Sequence, residues 1–287
     1  MKSHRKHSSH EKIEILFEDE YICVVNKPVG ILSVPNQAKE KSVLGILEEI
    51  MRKKGSYSSN HRPFAVHRLD RETSGVMMFA LSEIAQKKIM DLWHKIVSER
   101  LYRAVAENPH NPQKILPISG LIDDALSFNA YNIAFVPKTE TKTVAARTHF
   151  KTILRGKTHT LFELSLDTGK KNQIRAHLAS KGYPIAGDKN YRAKTDYFHR
   201  LCLHARTLEF THPFTEKKMR FEVVEPSEWK LYVEKGDSLV QTDYLVNSKN
   251  SRSNKSSENF SLGKKRLSAK DKAHLNFIEQ GKMRAQK

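Results

Sequence analysis

Hydrophobic and polar positions alternate along the chain with two different periods. Five segments predict strands, two of them continuously apolar and three with strict alternation: 21–25, 76–81, 162–167, 207–210 and 219–223. A continuous apolar run indicates a strand that is covered on both sides, whereas alternation indicates a strand with one face in water. The pattern therefore predicts a sheet with buried central strands.

Apolar residues three and four positions apart predict helices. Ser42 is a suitable N-cap for a first helix that ends at Gly55, Ser82 for a second, and a third spans about 172–182. The inward positions of the first two helices are Val43, Ile46, Leu47 and Ile50, and Ala85, Ile89, Leu92, Trp93 and Ile96. Because strands and helices do not alternate regularly, we expect an α+β fold with a mixed, mostly antiparallel sheet.

Three regions are predicted along the chain. Residues 1–12 form a basic, His-rich tail, and residues 13–243 contain the periodic patterns and form the domain. Residues 244–287 are rich in Ser, Asn and Lys and lack core-forming side chains, so we predict that they are disordered. A short helix over 270–287 is the one element expected there.

The net charge points to a polyanionic partner. The 287 residues contain 50 Lys and Arg against 32 Asp and Glu, a net charge of +18. Residues 247–287 contribute eleven basic and three acidic residues, so the predicted domain is also basic. Such an excess favours nucleic acid or an acidic membrane face, and charge alone does not choose between them.

Other patterns narrow the class of protein. The apolar runs fall far short of the roughly 20 residues that a spanning helix needs, and no apolar segment follows the basic N-terminus as in a signal peptide. The two cysteines, Cys23 and Cys202, form no paired motif, which favours a reducing compartment, the cytoplasm.

Asp70 stands out as a candidate catalytic group. It lies between Arg68 and Arg71 in a polar loop before the strand at 76–81. Neighbouring positive charge favours an ionised carboxylate, which can act as a nucleophile or a base. The alternative is that Asp70 only closes a turn.

Three further features allow both a chemical and a structural interpretation. Arg175, near the start of the third helix, can bind a carboxylate or a phosphate, or form a surface ion pair. Tyr102 lies on a predicted strand, where packing is the commoner role for tyrosine. Asp123 and Asp124 can hold Mg²⁺ or stand in a solvated turn.

Four segments together resemble the RluA-type pseudouridine synthases. HRLDRETSG at 67–75 resembles the catalytic motif of that family, and NKPVGILSVP at 26–35 is similar to its first motif. TGKKNQIRAHLASKGYPIAGD at 168–188 is similar to the third, and LCLHARTLEFTHP at 201–213 to the last. The motifs occur in family order and span roughly 13–224.

The resemblance implies an α+β catalytic fold with flanking helices and a central RNA-binding cleft. It implies isomerisation of uridine to pseudouridine in RNA, without a metal or a small-molecule cofactor. Asp70 matches the catalytic aspartate, Tyr102 the tyrosine beside the uracil, and Arg175 the basic partner of the aspartate. The expected substrate-binding residues are Arg68, which helps to displace the base, together with His67, Lys27 and Leu203.

The chain departs from the family pattern at two positions. Lys170 stands where the third motif usually has Arg, and Asn172 where it has His. Lysine keeps the charge of arginine but loses its planar fork. The small N-terminal RNA-binding domain of many relatives is expected to be absent, since only residues 1–12 precede the domain.

These features make RNA modification the favoured function. The wording of the first motif is closest to members that act on the tRNA anticodon stem-loop and large-subunit rRNA, so the expected partner is tRNA, rRNA or both. We expect a cytoplasmic monomer with no membrane association. The alternatives are a non-catalytic RNA-binding or ribosome-assembly protein, and a metal-dependent nuclease that uses Asp123 and Asp124.

Overall fold

A computed structural model describes residues 13–236. These residues belong to the first of two units, 1–241 and 242–287, into which the chain divides. The predicted tails at 1–12 and 244–287, and the predicted helix at 270–287, lie outside the described residues.

The described residues contain twelve strands, four helices and two short 3₁₀ turns. The strands are β1 (Glu14–Glu18), β2 (Ile22–Lys27), β3 (Phe64–Ala65), β4 (Ser74–Ala80), β5 (Val97–Glu107), β6 (Ser119–Ile122), β7 (Ser127–Phe128), β8 (Ala134–Phe135), β9 (Thr148–Arg155), β10 (His159–Leu166), β11 (Leu203–Thr211) and β12 (Lys218–Glu222). The helices are α1 (Val43–Lys54), α2 (Glu83–Ile96), α3 (Gln173–Ser180) and α4 (Glu228–Lys235), and the 3₁₀ turns are Pro112–Lys114 and Lys189–Tyr191.

Ten strands form one sheet in the order β1-β2-β4-β11-β5-β10-β9-β6, with β3 paired to β4 and β12 paired to β11. Only β4 and β11 run parallel among the pairings of the described strands. β7 and β8 form a separate hairpin. The prediction of an α+β fold with a mixed, mostly antiparallel sheet is confirmed.

The first two helices begin where their capping residues predict, and the first also ends at the predicted residue. The Ser42 hydroxyl accepts a hydrogen bond from the Gly45 N–H at 3.2 Å, and the Ser82 hydroxyl accepts one from the Ala85 N–H at 3.1 Å. Gly55 ends α1 with a φ of 75°. Each cap satisfies a backbone group that the helix itself leaves unpaired.

The central strands are buried on both faces of the sheet. In β4, Met77 and Phe79 face one core cluster while Val76 and Met78 face the other. Helix α1 covers the first face and α2 covers the second. This two-sided burial explains why β2 and β4 are almost continuously apolar in sequence.

The parallel contact between β4 and β11 depends on Gly75. Gly75 has a φ of 115°, and a Cβ atom there would lie 2.0 Å from the carbonyl oxygen of Ala205. Next to it, the Ser74 hydroxyl lies 2.8 Å from Nδ1 of His204. The close approach brings the end of the loop that carries Asp70 beside the start of β11, where Leu203 lies.

The helices are short. The longest, α2, has 14 residues, and no helix within 13–236 has the length and apolar character needed to cross a bilayer.

Candidate active site

Hydrogen bonds from the segment at 26–35 fix the loop at 66–73, which carries Asp70. Nζ of Lys27 donates hydrogen bonds to the carbonyl oxygens of Pro28 (3.0 Å), Arg71 (2.9 Å) and Thr73 (2.7 Å). All three protons of the ammonium group therefore bind backbone, and two of them bind the loop that follows Asp70.

This position of Lys27 differs from the one expected of a substrate-binding residue. Its side chain is 0% exposed and does not line the cleft described below. Burial lowers the pKa of Lys27 to about 8, although the nearby Glu72 and Asp70 act in the opposite direction. Lys27 thus supports the loop and does not reach the space in which a substrate would bind.

Ser33 and Gly30 complete this support. The Ser33 hydroxyl donates to the carbonyl of Leu69 at 2.7 Å and accepts from the N–H of the same residue at 3.0 Å. The Gly30 N–H donates to the carbonyl of Arg71 at 2.9 Å. Since these bonds lie on both sides of Asp70, they fix the position of its backbone.

The Asp70 carboxylate faces the start of α3. Arg175, on this helix, lies 105 positions further along the chain than Asp70. NH1 of Arg175 donates to Oδ2 of Asp70 at 3.2 Å. Nδ2 of Asn172 donates to the same oxygen at 2.6 Å. No donor within 13–236 bonds to Oδ1, so one oxygen of Asp70 is anchored and the other is available to a bound molecule.

Asp188 holds Arg175 in place. Its carboxylate accepts from Nε of Arg175 at 2.7 Å and from NH2 at 2.8 Å, which is a two-point contact that fixes the plane of the guanidinium. Burial lowers the pKa of Arg175, but hydrogen bonds and charges from Asp188 and then Asp70 outweigh it and raise the pKa above its ordinary value. Arg175 therefore stays charged beside Asp70.

Asn172 adopts an unusual backbone conformation at the start of α3. Its φ is 54°, in the left-handed region, and its side chain does not cap the helix. Asparagine at this position normally satisfies the first helical N–H groups. Here the amide donates to Asp70 instead, from a left-handed backbone that asparagine tolerates better than most residues.

Asp70 lies in an open cleft of about 810 Å³. It is the only acidic residue among the residues that line the cleft, and six Lys and Arg residues surround it: Arg68, Arg71, Arg100, Lys170, Lys171 and Arg175. A cleft with this charge attracts a polyanion and is large enough for a nucleotide.

Six of the seven predicted site residues line this one cleft. They are Asp70, Tyr102, Arg175, Arg68, His67 and Leu203. Only Lys27 lies elsewhere. Arg68 is exposed, as a side chain that moves into a vacated base position has to be.

Two of these residues are neutral at neutral pH. Burial raises the pKa of Tyr102, and the charge of Asp70 also raises it although Arg100 lowers it. Burial, with a smaller effect of Arg100, lowers the pKa of His67 to about 3. Nε2 of His67 lies 3.0 Å from the backbone N–H of Met78 and accepts its hydrogen bond, so His67 helps to hold the cleft wall.

Comparison with known proteins decides the family. The model of the RNA pseudouridylate synthase family matches residues 21–180, more than half of the chain. The chain belongs to the RNA pseudouridylate synthase family.

Three bacterial relatives illustrate the match. Ribosomal large subunit pseudouridine synthase D of Neisseria meningitidis serogroup B is 31% identical over 228 residues, which cover 75% of this chain and 59% of that protein. The uncharacterised RNA pseudouridine synthase YhcT of Bacillus subtilis is 32% identical, covering 76% and 70%. The tRNA pseudouridine synthase C of Vibrio parahaemolyticus is 30% identical, covering 76% and 93%.

Solved structures agree in fold. Human RNA pseudouridylate synthase domain containing 1 aligns with a TM-score of 0.60 at 19% identity, covering 81% of this chain and 94% of that one. Human RNA pseudouridylate synthase domain containing 4 aligns with a TM-score of 0.59 at 22% identity, covering 75% and 90%. The pseudouridylate synthase fold is thus present in this chain.

Sequence reasoning missed three residues of this pseudouridylate synthase site. Asn172 was noted only as a departure from the family motif, and Asp188 only as the end of that motif. No motif predicted Arg100, which lines the cleft and whose NH2 group donates to the carbonyl of Leu166 at 3.1 Å. The available signal was the unusual asparagine before a helix that carries a candidate arginine.

Asp123 and Asp124 do not line the cleft. Asp123 pairs with Arg147 at 3.3 Å, and Asp124 pairs with Lys181 at 2.7 Å. Within 13–236 no group of three or more His, Cys, Asp or Glu side chains is arranged to hold a metal. The two carboxylates are thus used in separate ion pairs, which does not favour the nuclease alternative.

Proposed function

We propose that this protein is an RNA pseudouridine synthase that isomerises specific uridines in tRNA, large-subunit rRNA or both, with Asp70 as the catalytic carboxylate. The observation that carries the proposal is the single acidic group of a basic cleft, anchored through Oδ2 by Arg175 and Asn172 with Oδ1 left available. Relatives named for activity on rRNA and on tRNA support the same reaction.

The reaction balances without an added reactant. The N1–C1′ bond of uridine breaks, the uracil rotates, and a C5–C1′ bond forms. C5 loses a proton and N1 carries one at the end, so the atoms of substrate and product are the same. The enzyme therefore needs an ionised group near the ribose, donors and acceptors around the base, and no small-molecule cofactor.

Asp70 serves this reaction through its free oxygen. Oδ1 either attacks C1′ of the ribose or removes a ribose proton, and both routes need the ionised carboxylate. Arg175 and Asn172 hold the carboxylate in place because each donates a hydrogen bond to Oδ2. They also stop the carboxylate from rotating away from the substrate.

Arg68 and Tyr102 contact the target base and the space that it leaves. The target uridine must leave its stack before it reaches Asp70, at a cost of a few kcal/mol. Arg68 is exposed at the cleft and can fill the vacated space, while Tyr102 packs on the uracil face. Because burial raises the pKa of Tyr102, it takes the C5 proton only if it is first deprotonated.

The remaining lysines and arginines of the cleft bind phosphates. Such contacts release counterions, so RNA binding should weaken steeply as salt increases. We also propose that the protein acts in the cytoplasm, because Cys23 and Cys202 are both free thiols. We propose a monomer, since the one cleft contains every residue assigned to the reaction.

The test is a comparison of Asp70→Asn with the wild-type full chain. Asp70→Asn should bind unmodified tRNA and rRNA nearly as wild type does and form no pseudouridine, as mapped by sequencing after chemical labelling. Asp123→Asn is the matched control, because Asp123 lies in an ion pair outside the cleft. Pseudouridine formation by Asp70→Asn would refute the assignment, and RNA cleavage that Asp123→Asn abolishes would favour the nuclease.

A further inference from the structure

Helix α2 contributes a wall to the cleft that the reaction described above does not use. Trp93 and His94 lie three and four positions after Met90, so the three share one face of the helix, and all of them line the cleft of Asp70. Met90 is 54% exposed and is the only large exposed hydrophobic side chain within 13–236 that lines this cleft. A tryptophan and an exposed methionine inside a basic cleft indicate a site for a flat, apolar group.

Neighbouring side chains fix the ring of Trp93. The His67 ring lies 5.1 Å from it between centroids, tilted by 39°, and the guanidinium of Arg100 lies 5.9 Å from its centroid. His67 is itself held, because it accepts a hydrogen bond from the N–H of Met78 at 3.0 Å. Trp93 also packs against the core cluster that α2 covers. The ring is therefore presented to the cleft in one position, which lowers the entropy cost of stacking on it.

Strand β5 sets the distance between Trp93 and the place of the target uridine. Arg100 and Tyr102 are two positions apart on β5 and both line the cleft, so they share one face of the strand. Their Cα atoms lie about 6.6 Å apart along the strand, a distance that a single nucleotide can span. Because Arg100 contacts the Trp93 ring and Tyr102 is assigned to the uracil, a base on Trp93 belongs to a nucleotide next to the target.

Cations for the phosphates lie beside this wall. The guanidinium that contacts Trp93 also donates from NH2 of Arg100 to the carbonyl of Leu166 at 3.1 Å, so it reaches the segment that leads to α3. Lys170 and Lys171 follow in that segment, and both are exposed and line the cleft. A ring beside cations matches the chemistry of a nucleic acid strand, whose bases stack and whose phosphates bind positive charge.

We propose that Trp93 and Met90 form a second base-binding subsite of the cleft, in which the base of a nucleotide adjacent to the target uridine stacks on Trp93. This inference deepens the proposed function and rests on it, because it takes RNA with a displaced uridine as the substrate. Met90 packs against the stacked base, and Arg100 binds the phosphate between the two nucleotides. Stacking tolerates every base, so the subsite selects RNA in which the neighbour of the target is also unpaired.

The test measures binding to two single strands that differ only in their bases. One probe is a labelled oligouridylate of about 12 nucleotides, and the alternating probe is the same strand without every second base, so that all phosphates remain. No two adjacent nucleotides of the alternating probe carry a base, so it cannot fill both subsites. In fluorescence anisotropy, the wild-type full chain should bind the oligouridylate roughly fivefold to hundredfold more tightly than the alternating probe.

Trp93→Leu removes the ring and keeps an apolar side chain on α2. It should bind the oligouridylate roughly fivefold to hundredfold more weakly than wild type does. It should bind the alternating probe nearly as wild type does, since a remaining base can still occupy the place of the target uridine. Trp93→Phe should recover most of the affinity, because it restores a stacking ring. Met90→Ala should weaken binding of the oligouridylate by roughly two- to tenfold, because a methionine–ring contact is lost.

Leu92→Ala is the control for lost packing. Leu92 and Trp93 both pack against the core cluster that α2 covers, but Leu92 does not line the cleft. Leu92→Ala should therefore lower the free energy of unfolding in urea and leave the affinity for both probes unchanged. Ile84→Ala removes a side chain of the same helix that is 78% exposed and should change neither stability nor affinity.

Two results would overturn the inference. If Trp93→Leu weakens binding of both probes equally, Trp93 only supports the cleft wall through its contact with His67. If Trp93→Leu binds the oligouridylate as wild type does, no base stacks on Trp93. The proposed function is decided separately by pseudouridine mapping with wild type, which measures the reaction, whereas anisotropy measures binding alone, so either can fail without the other.

Discussion

Asn172→Gly separates the role of a side chain from that of the backbone that carries it. The backbone of Asn172 has a φ of 54°, which glycine adopts without strain. Its side chain does not cap α3, so no helix-capping bond is lost. Relief of the left-handed backbone partly offsets the loss of the bond to Asp70, so the free energy of unfolding should fall by no more than about 2 kcal/mol.

The activity should fall, because the change removes a donor to Asp70. The lost bond is short, 2.6 Å, and its acceptor is a carboxylate. Bonds to charged groups contribute about 1.5–3 kcal/mol, and about 1.4 kcal/mol corresponds to a tenfold change in rate. We therefore expect kcat to fall roughly tenfold to hundredfold, with KM for RNA nearly unchanged.

The assay is single-turnover pseudouridine formation with excess enzyme, together with urea unfolding of each variant. Asn172→His, which restores the residue of the family motif, should recover part of kcat because imidazole can also donate. Asn172→Asp should be less active than Asn172→Gly, since it sets a second carboxylate against Asp70.

A backbone control is available at Glu216, a non-glycine residue with a φ of 58° in the turn between β11 and β12. Glu216→Gly makes the same change of backbone freedom away from the cleft and should leave kcat intact. The reasoning is refuted if Asn172→Gly matches wild type in kcat, or if it raises KM and leaves kcat unchanged.

Two further predictions concern the residues that support the site. Asp188→Asn should lower the free energy of unfolding by roughly 3–5 kcal/mol in urea and reduce kcat, because the buried Arg175 loses its two-point partner. The control is Asp196→Asn, which breaks the more exposed ion pair with Lys189 and should lower the free energy of unfolding by under about 1 kcal/mol. The stability of wild type relative to Lys27→Met should rise as pH increases from about 8 towards 10.5, by on the order of 3 kcal/mol, because folded Lys27 gives up its proton near pH 8 while the unfolded chain keeps it to about 10.5. Urea midpoints of both proteins across this range check the sign, and a difference that falls with increasing pH would contradict it.

The helices and strands that depend on residues close together in sequence could be predicted. Ser42 and Ser82 accept hydrogen bonds from the N–H groups three residues later, so their capping role depends only on residues close in sequence. The continuous apolar run in β4 predicted a strand covered on both sides for the same reason, since alternate side chains must point to opposite faces. The motifs at 26–35, 67–75 and 168–188 pointed to the site because each places polar residues on a short loop or at a helix start, whereas the motif at 201–213 lies mainly on β11.

Contacts between distant parts of the chain were decided by the tertiary structure. Lys27 was expected to bind substrate on the family resemblance alone, but the fold buries it under the loop of Asp70. The Asn172 bond joins residues 102 positions apart, and nothing in the sequence near Asn172 indicates that the fold sets the start of α3 against Asp70. Periodicity and capping report on geometry within a few residues, whereas the pairing of two side chains across the sheet depends on how every strand between them is ordered.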